Sequence, residues 1–512
     1  MTIKRGRHLL FILILLVSFQ PLSVFASGER TMQDEIIYMI MVDRFHNGDP
    51  SNDKDANPDD PYAYHGGDFK GITDKLDHIE EMGFTAIWLT PIFENMPKGY
   101  HGYWTKDYYK TNEYFGTMDE FKTLVDEAHK RDIKIILDFV VNHVGPNHDW
   151  LSDPSKEDWF HPQQPITNWN DQQEVENGWL YDLPDLDQSN PEVAAYLIDA
   201  AKWWIEETDI DGFRLDTVKH VSKDYWKEFV SAVKAEKEDL YLIGEVWHDN
   251  SNVVASYEET GIDSFFDFSQ NGSLRTAFER SNQSLGWLFS NAERNEKVFD
   301  RSHLLGQFVD NHDMTRFSHL VINQKENPLT QLKQSLTFLY TAPGVPIIYY
   351  GTEMAMDGGN DPDNRRMLDF NTEKNVVDYI SKLGAIRKEH PALTNGEMEL
   401  LYEEEGTAVY SRKLDGETIV VAINNMSSDQ TIVLKDKLEN GKRLVSQLTE
   451  AIVKSNGNEY SIKLESGQAE IFELAEKPGP NWLFIVLSSA VIVSFIIILI
   501  LGIKEVNKRS RL

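Results

Sequence analysis

Short apolar runs and amphipathic stretches alternate along most of the chain. Between about residues 31 and 390 the apolar runs are 36–42, 86–89, 134–140, 212–216, 241–246, 264–268, 304–309 and 346–350. Stretches with apolar positions at helical spacing lie between them, among them 72–82, 118–130, 191–207 and 225–235. The runs are rich in β-branched and aromatic residues and too short for helices of ordinary length, so each predicts a buried strand. Eight strand–helix alternations predict an α/β protein built as a parallel (β/α)8 (TIM) barrel rather than an open sheet. One helix has an explicit start signal in Asn190-Pro191-Glu192. The amide caps a free N–H, proline presets the first turn, and the carboxylate suits the positive end.

Two departures from this rhythm divide the chain. Residues 144–190 are rich in Asp, Asn, Pro and Trp with little periodicity, which predicts a domain (domain B) inserted after the third strand. The barrel then occupies 27–143 and 191–392. Beyond it the apolar period drops to two, with runs at 406–413, 417–424, 430–434, 460–464 and 469–473. They predict a C-terminal antiparallel β-sandwich (domain C) over 393–475.

The ends carry a different pattern. Lys4, Arg5 and Arg7 precede the apolar Leu9–Phe19, and Val24-Phe25-Ala26 resembles a cleavage site, so 1–26 reads as a signal peptide. Residues 482–503 hold no charge and are long enough to cross a bilayer. A Pro/Gly linker, 476–481, precedes them, and a basic tail, 504–512, follows. That tail places the C-terminus in the cytoplasm. The expected location is the cell surface, through a C-terminal transmembrane helix, or the medium if the anchor is cut.

Charge and cysteine count narrow the function. The net charge is −33. Setting aside three basic residues in 1–26 and four basic and one acidic residue in 504–512, the exported body carries −39. Such a surface repels nucleic acid and suits a neutral substrate or bound cations. With no cysteine there is no disulfide, thiolate metal site or cysteine nucleophile. The expected oligomeric state is a monomer.

Candidate chemistry gathers at the strand ends, which in a barrel face the active site. The third run leads to Asp138, Asn142 and His143. The fourth carries Arg214 and Asp216, then Lys219 and His220, the fifth ends at Glu245, and the seventh at Asp310–Asp313. Helix capping does not call for carboxylates on four strands at once; glycoside cleavage does, with one carboxylate as nucleophile and one as proton donor. Arg214 shares a strand face with Asp216 and would keep it ionised, so Asp216 is the candidate nucleophile. Glu245 stands beside apolar Val246 and Trp247 and is the candidate acid. Asp313 would bind sugar hydroxyls, with His143 and His312 donating hydrogen bonds.

These blocks also carry a resemblance. DFVVNH (138–143), GFRLDTVKH (212–220), GEVW (244–247) and FVDNHD (308–313) resemble, in order, the four signature motifs of the α-amylase family, glycoside hydrolase family 13. LPDLD (183–187) is similar to its fifth. The resemblance covers about 31–475 and is strongest to bacterial membrane-anchored members. It implies retaining cleavage of α-1,4-glucosidic bonds, with Asp216 as nucleophile, Glu245 as acid/base and Asp313 as transition-state stabiliser. By the same resemblance Tyr103 of YHGYW would stack on the sugar at the cleavage point, and Trp104 would flank the next. Asp361 and Arg365 would hold the second sugar inward, and Lys219 would touch one on the leaving side. It further implies a calcium ion held by Asn142, Asp185 and the backbone carbonyl of His220. Residues Asn47, Asp49, Asn52, Asp53, Gly66 and Asp68 resemble a second calcium loop, found in cyclodextrin glucanotransferases.

The expected activity is that of an endo-acting α-amylase on starch and malto-oligosaccharides. The alternatives are a maltogenic, neopullulanase-like or cyclodextrin-forming enzyme on the same scaffold, or a non-catalytic anchored glucan-binding protein. LPDLD is less like the MPKLN and QPDLN motifs of neopullulanases and oligo-1,6-glucosidases. Cyclodextrin glucanotransferases usually carry further C-terminal domains. A non-catalytic barrel would have lost the carboxylates. In 191–207, Val193, Leu197, Ala200 and Trp204 form a core stripe. Tyr196 and Trp203 lie beside it, and the alternatives for them are ordinary packing and an exposed platform for starch.

Overall fold

The computed structural model describes residues 30–371, 376–477 and 482–509. The signal peptide at 1–26, most of the 476–481 linker and the last residues of the basic tail lie outside them. Eight parallel strands form the barrel: β1 Ile37–Ile40, β2 Ala86–Leu89, β3 Lys134–Phe139, β4 Gly212–Leu215, β5 Tyr241–Gly244, β6 Ser264–Phe265, β7 Gly306–Phe308 and β8 Val345–Tyr349. Their order is β6-β5-β4-β3-β2-β1-β8-β7, and a parallel bridge between Phe266 and Gly306 joins the two edges. Every residue of β1, β2, β4 and β5 is buried. Helices cover the outside and side chains fill the inside, which explains the unbroken apolar runs.

Around the barrel run helices such as α1 Met118–His129, α2 Pro191–Thr208 and α3 Lys223–Glu236. Asn190 caps α2 by accepting from Glu192 N, with Pro191 in the first turn. The helix expected at 72–82 is instead two, Phe69–Thr73 and Leu76–Glu81, separated where Lys75 leaves helical geometry. Asp68 caps the first, accepting from Gly71 N at 2.6 Å.

The stripe Val193, Leu197, Ala200 and Trp204 is buried, and Trp204 Nε1 donates to Tyr108 O at 2.7 Å. Of the two alternatives for the residues beside it, the structure favours ordinary packing over a starch platform. Tyr196 and Trp203 are half-buried. Trp150 and Trp159 of the inserted segment pack on Tyr196 with centroids 5.2 and 5.6 Å away, and Trp203 packs on Tyr109 at 5.4 Å. Side chains from 150 and 159 cover a face that helical period alone leaves open.

Residues 144–190 hold short turns, one helix (Gln172–Asn177) and isolated bridges, including His143–Asp185. Domain C has eight strands rather than the five expected. A six-stranded sheet contains Glu397–Glu404, Arg443–Ser446 and Ile452–Lys454, which lack clean alternation. The first is an edge strand with four glutamates, so its pattern reads as surface. Last comes the helix Trp482–Arg509, in which Val486–Lys504 is apolar and long enough to cross a membrane.

Candidate active site

At the C-terminal end of the barrel a cleft of about 950 Å3 opens. Strand register builds its floor. Leu215 of β4 pairs with Gly244 of β5, so the next residues, Asp216 and Glu245, stand side by side. Glu245 N donates to Leu215 O at 2.9 Å and Asp216 N to Phe139 O at 3.2 Å, which fixes both backbones.

Arg214 lies beneath them, 1% exposed. Its Nη1 is 2.5 Å from Asp216 Oδ1 and 2.9 Å from Asp138 Oδ1, and its Nη2 is 2.7 Å from Glu245 Oε1. One cation therefore serves three buried carboxyls. Burial is the largest influence on Glu245 and outweighs Arg214; the neighbouring Asp216 and Asp313 add to it, and the carboxyl is pushed up to about 8. Asp138 is pushed up to about 7, by burial first, against Arg214. Thr217, in left-handed geometry at φ 46°, turns its N–H to Glu245 Oε2 (3.2 Å) and donates its hydroxyl to Asp216 Oδ2 (3.0 Å).

The cleft also gathers the sugar-binding candidates. Tyr103 and His312 stack with centroids 5.0 Å apart and planes 3° apart, and the Tyr103 hydroxyl donates to Asp138 at 2.7 Å. Arg365 joins Asp313 (3.2 Å) to Asp361 (3.0 Å) and donates to His312 O. Burial and the Arg365 and Arg214 cations hold His312 well below its ordinary value, and burial lowers His143. Both imidazoles stay neutral, and each has one buried, unpartnered nitrogen. Trp104 and Lys219 also line the cleft, and Lys219 donates to Trp247 O at 2.9 Å.

The remaining candidates are oxygens. Asn142 Oδ1 and Asp185 Oδ1, beside the His143–Asp185 bridge, are buried and accept no hydrogen bond. The His220 ring ties to the inserted domain through Val175 O. In the 47–68 loop Asn47 Oδ1 and Asn52 Oδ1 are likewise buried and unpartnered, and Asn47 Nδ2 donates to Asp53 at 2.8 Å. Gly66 sits against Asn47 and Asp53 at φ 91°; a Cβ there would come within 2.5 Å of Asp53 Oδ1. Asp49 caps Pro50–Asn52, while Asp68 accepts from Gly48, Asp49 and Gly71 N–H groups, a capping role that sequence reading did not assign. Among the described residues no three His, Asp or Glu side chains suit a metal alone, so a cation would draw on amide and carbonyl oxygens.

Sequence reasoning gave no role to Asp138 or His101, although both lie in the blocks it singled out. It missed Tyr62, Lys98, Trp169 and Tyr181, which also line the cleft. For the three aromatics ring exposure is the signal, and that exists only in three dimensions.

An acidic, aromatic-lined cleft at this end of a (β/α)8 barrel is the setting of a carbohydrate-active enzyme. Models of the α-amylase catalytic domain and the α-amylase C-terminal domain match residues 39–375 and 396–472. The chain belongs to the α-amylase family of glycoside hydrolases. A β/α-amylase of Paenibacillus polymyxa is 37% identical, over 85% of this chain and 37% of that protein. A cyclomaltodextrin glucanotransferase of Bacillus sp. (strain 38-2) is 33% identical, over 79% of this chain and 62% of that one. The chain thus spans less than two thirds of either relative. The crystal structure of an Anoxybacillus α-amylase has a TM-score of 0.87 at 56% identity, covering 88% of this chain and 100% of that one. The α-amylase of Geobacillus thermoleovorans, complexed with acarbose, scores 0.85 at 53% identity with the same coverage. A cyclomaltodextrin glucanotransferase described as having a three-domain ABC distribution scores 0.79 at 32%, over 86% and 99%. That last structure removes one expectation: further C-terminal domains are not a mark of every cyclomaltodextrin glucanotransferase.

Proposed function

We propose that the protein is an endo-acting α-amylase that hydrolyses α-1,4-glucosidic bonds of starch and malto-oligosaccharides with retention. The observation that carries this reading is the grip of one guanidinium on both Asp216 and Glu245. It holds the two carboxyls of neighbouring strands against one cation, the paired arrangement that cleavage with retention uses.

In the first step Asp216 attacks the anomeric carbon while Glu245 gives its proton to the departing glycosidic oxygen. A glycosyl ester on Asp216 remains, and the shortened chain leaves as an alcohol. Water then gives a proton to the Glu245 carboxylate and attacks the same carbon, freeing Asp216. Tyr103 carries the apolar sugar face. Neutral His143 and His312 and the Asp313 carboxylate bond hydroxyls as positive charge develops on the ring. Asp361 and Arg365 hold the inner sugar, and Lys219 with Trp247 meets the leaving side.

Asn142 and Asp185, with the His220 carbonyl, fit one calcium ion, and the Asn47–Asp68 loop fits a second. The unpartnered buried oxygens at both places support this. Such an ion supplies fixed positive charge that fastens the inserted domain and the loop. The C-terminal helix supports anchoring of an exported body.

The test is the product profile of the detergent-solubilised full chain on soluble starch, beside Asp216→Asn. Linear malto-oligosaccharides from the wild type alone are expected. Cyclic products or maltose alone would move the protein to a sister activity, and no products would leave a glucan-binding role.

A further inference from the structure

The three carboxylates of the mechanism are not placed in the same way. Asp216 and Glu245 directly follow β4 and β5, so strand register fixes them, and their side chains are 7% exposed. Asp313 is separated from β7 by residues 309–312, and its side chain is 32% exposed. No strand fixes its position. A reacting group must nevertheless be held within about 0.5 Å of its productive place.

The hold comes from Asn364, which is wholly buried and does not line the cleft. Its Nδ2 donates to His312 O at 2.7 Å and to Met314 O at 3.0 Å, the carbonyls on either side of Asp313. An amide nitrogen carries two hydrogens, and both are committed to this loop. The loop holds Asn364 in return. Arg316 Nε donates to Asn364 O at 2.9 Å. Arg316 is itself buried, with Nη1 on Tyr350 O at 2.9 Å and its cation 4.3 Å from the centre of the Tyr349 ring. Phe317 N donates to Asp310 Oδ1 at 2.6 Å and closes the base of the loop. The segment that carries Asp361 and Arg365 is thus fastened to the Asp313 loop by side chains reaching in both directions.

We propose that Asn364 is a positioning residue for Asp313. It touches no sugar. By gripping the carbonyls of 312 and 314 it sets the Asp313 carboxylate, with His312 beside it, where bonds to the sugar strengthen as charge develops on the ring. This rests on the α-glucan hydrolase reading and adds to it a residue that acts through another.

The test measures kcat and KM separately on 4-nitrophenyl α-maltotrioside, with the full chain in detergent. Wild type, Asn364→Ala, Asp313→Asn and the double variant are compared, the slowest at high enzyme concentration. Asn364→Ala should lose about 10- to 100-fold in kcat, the cost of misplacing a reacting group. KM should stay within about twofold, because Tyr103, Asp361 and Arg365 still meet the sugar. In the Asp313→Asn background the same substitution should cost less than about twofold, since the group it positions is already gone. Asn364→Ser, with one hydroxyl hydrogen against the amide's two, should fall between wild type and Asn364→Ala. It replaces Asn364→Ala in the cycle should that variant not fold. An unchanged kcat, a loss confined to KM, or equal fold losses in both backgrounds would overturn the positioning role. Failure of the wild type to release nitrophenol would overturn the hydrolase reading itself, and the positioning role with it.

Discussion

Arg214 Nη2 lies 2.7 Å from Glu245 Oε1, yet Glu245 is pushed up to about 8. An arginine this close ordinarily holds a carboxyl ionised. Here the same guanidinium also faces Asp138 and Asp216, and all three carboxyls are buried. A single positive charge cannot compensate three negative ones away from water, so protons are retained. The site thereby favours the protonated form of Glu245 although that carboxyl touches a cation.

The pH profile should show it. The proton on Glu245 is present below about 8 and lost as pH rises through that value. kcat/KM on maltoheptaose is therefore expected to fall on the alkaline side near pH 8, approaching about tenfold per unit. Glu245→Gln, assayed on an aryl maltotrioside, should lack this limb.

Replacing the two carboxyls should separate their roles. Glu245→Gln is expected to lose about 10^2- to 10^4-fold on starch, the range of general acid catalysis, and much less on an aryl glycoside whose leaving group needs no proton. Asp216→Asn should be inactive on both, because the covalent step is gone. Circular dichroism should find both variants folded.

Arg214→Ala should cost stability as well as activity. It strands three buried carboxyls, and a loss of about 3–5 kcal/mol is expected in denaturant titrations at neutral pH. The deficit should shrink in acid, where those carboxyls become protonated. Arg214→Lys should also fail, because an ammonium is a point charge and cannot grip Asp216 and Glu245 together.

Calcium removal should lower the melting temperature. A ligand that binds only the folded state adds about 2.7 kcal/mol at a hundredfold excess over its Kd. Chelation is expected to remove that increment and calcium to restore it. Asn142→Ala should reduce the chelator-sensitive shift, because it deletes one of the unpartnered oxygens.

Membrane attachment has a direct assay. The Val486–Lys504 stretch should keep the full chain in the pellet through an alkaline carbonate wash and release it only in detergent. Release by carbonate alone would count against a spanning helix.

How legible this was differs from element to element. The barrel strands could be read because each is buried on both faces and forms an unbroken apolar run, and the carboxylates because they end those runs. Glu397–Glu404 could not, since an edge strand with exposed glutamates has the pattern of surface. The break at Lys75 was hidden because both short helices keep their apolar spacing. The Tyr196–Trp203 platform failed because Trp150 and Trp159 cover Tyr196, a contact that helical period cannot foresee.

By itself the sequence determined the eight alternations, the insertion, and the identities of Asp216, Glu245 and Asp313 at the strand ends, because strand periodicity and local motifs are written within a few residues. The tertiary structure alone decided that Arg214 is shared among three carboxyls, that burial raises Glu245, and that Arg44 ties the 61–63 turn to the Arg365 carbonyl. Those are matters of distance, burial and exposure between segments far apart in the chain, and only folding brings them within reach of one another.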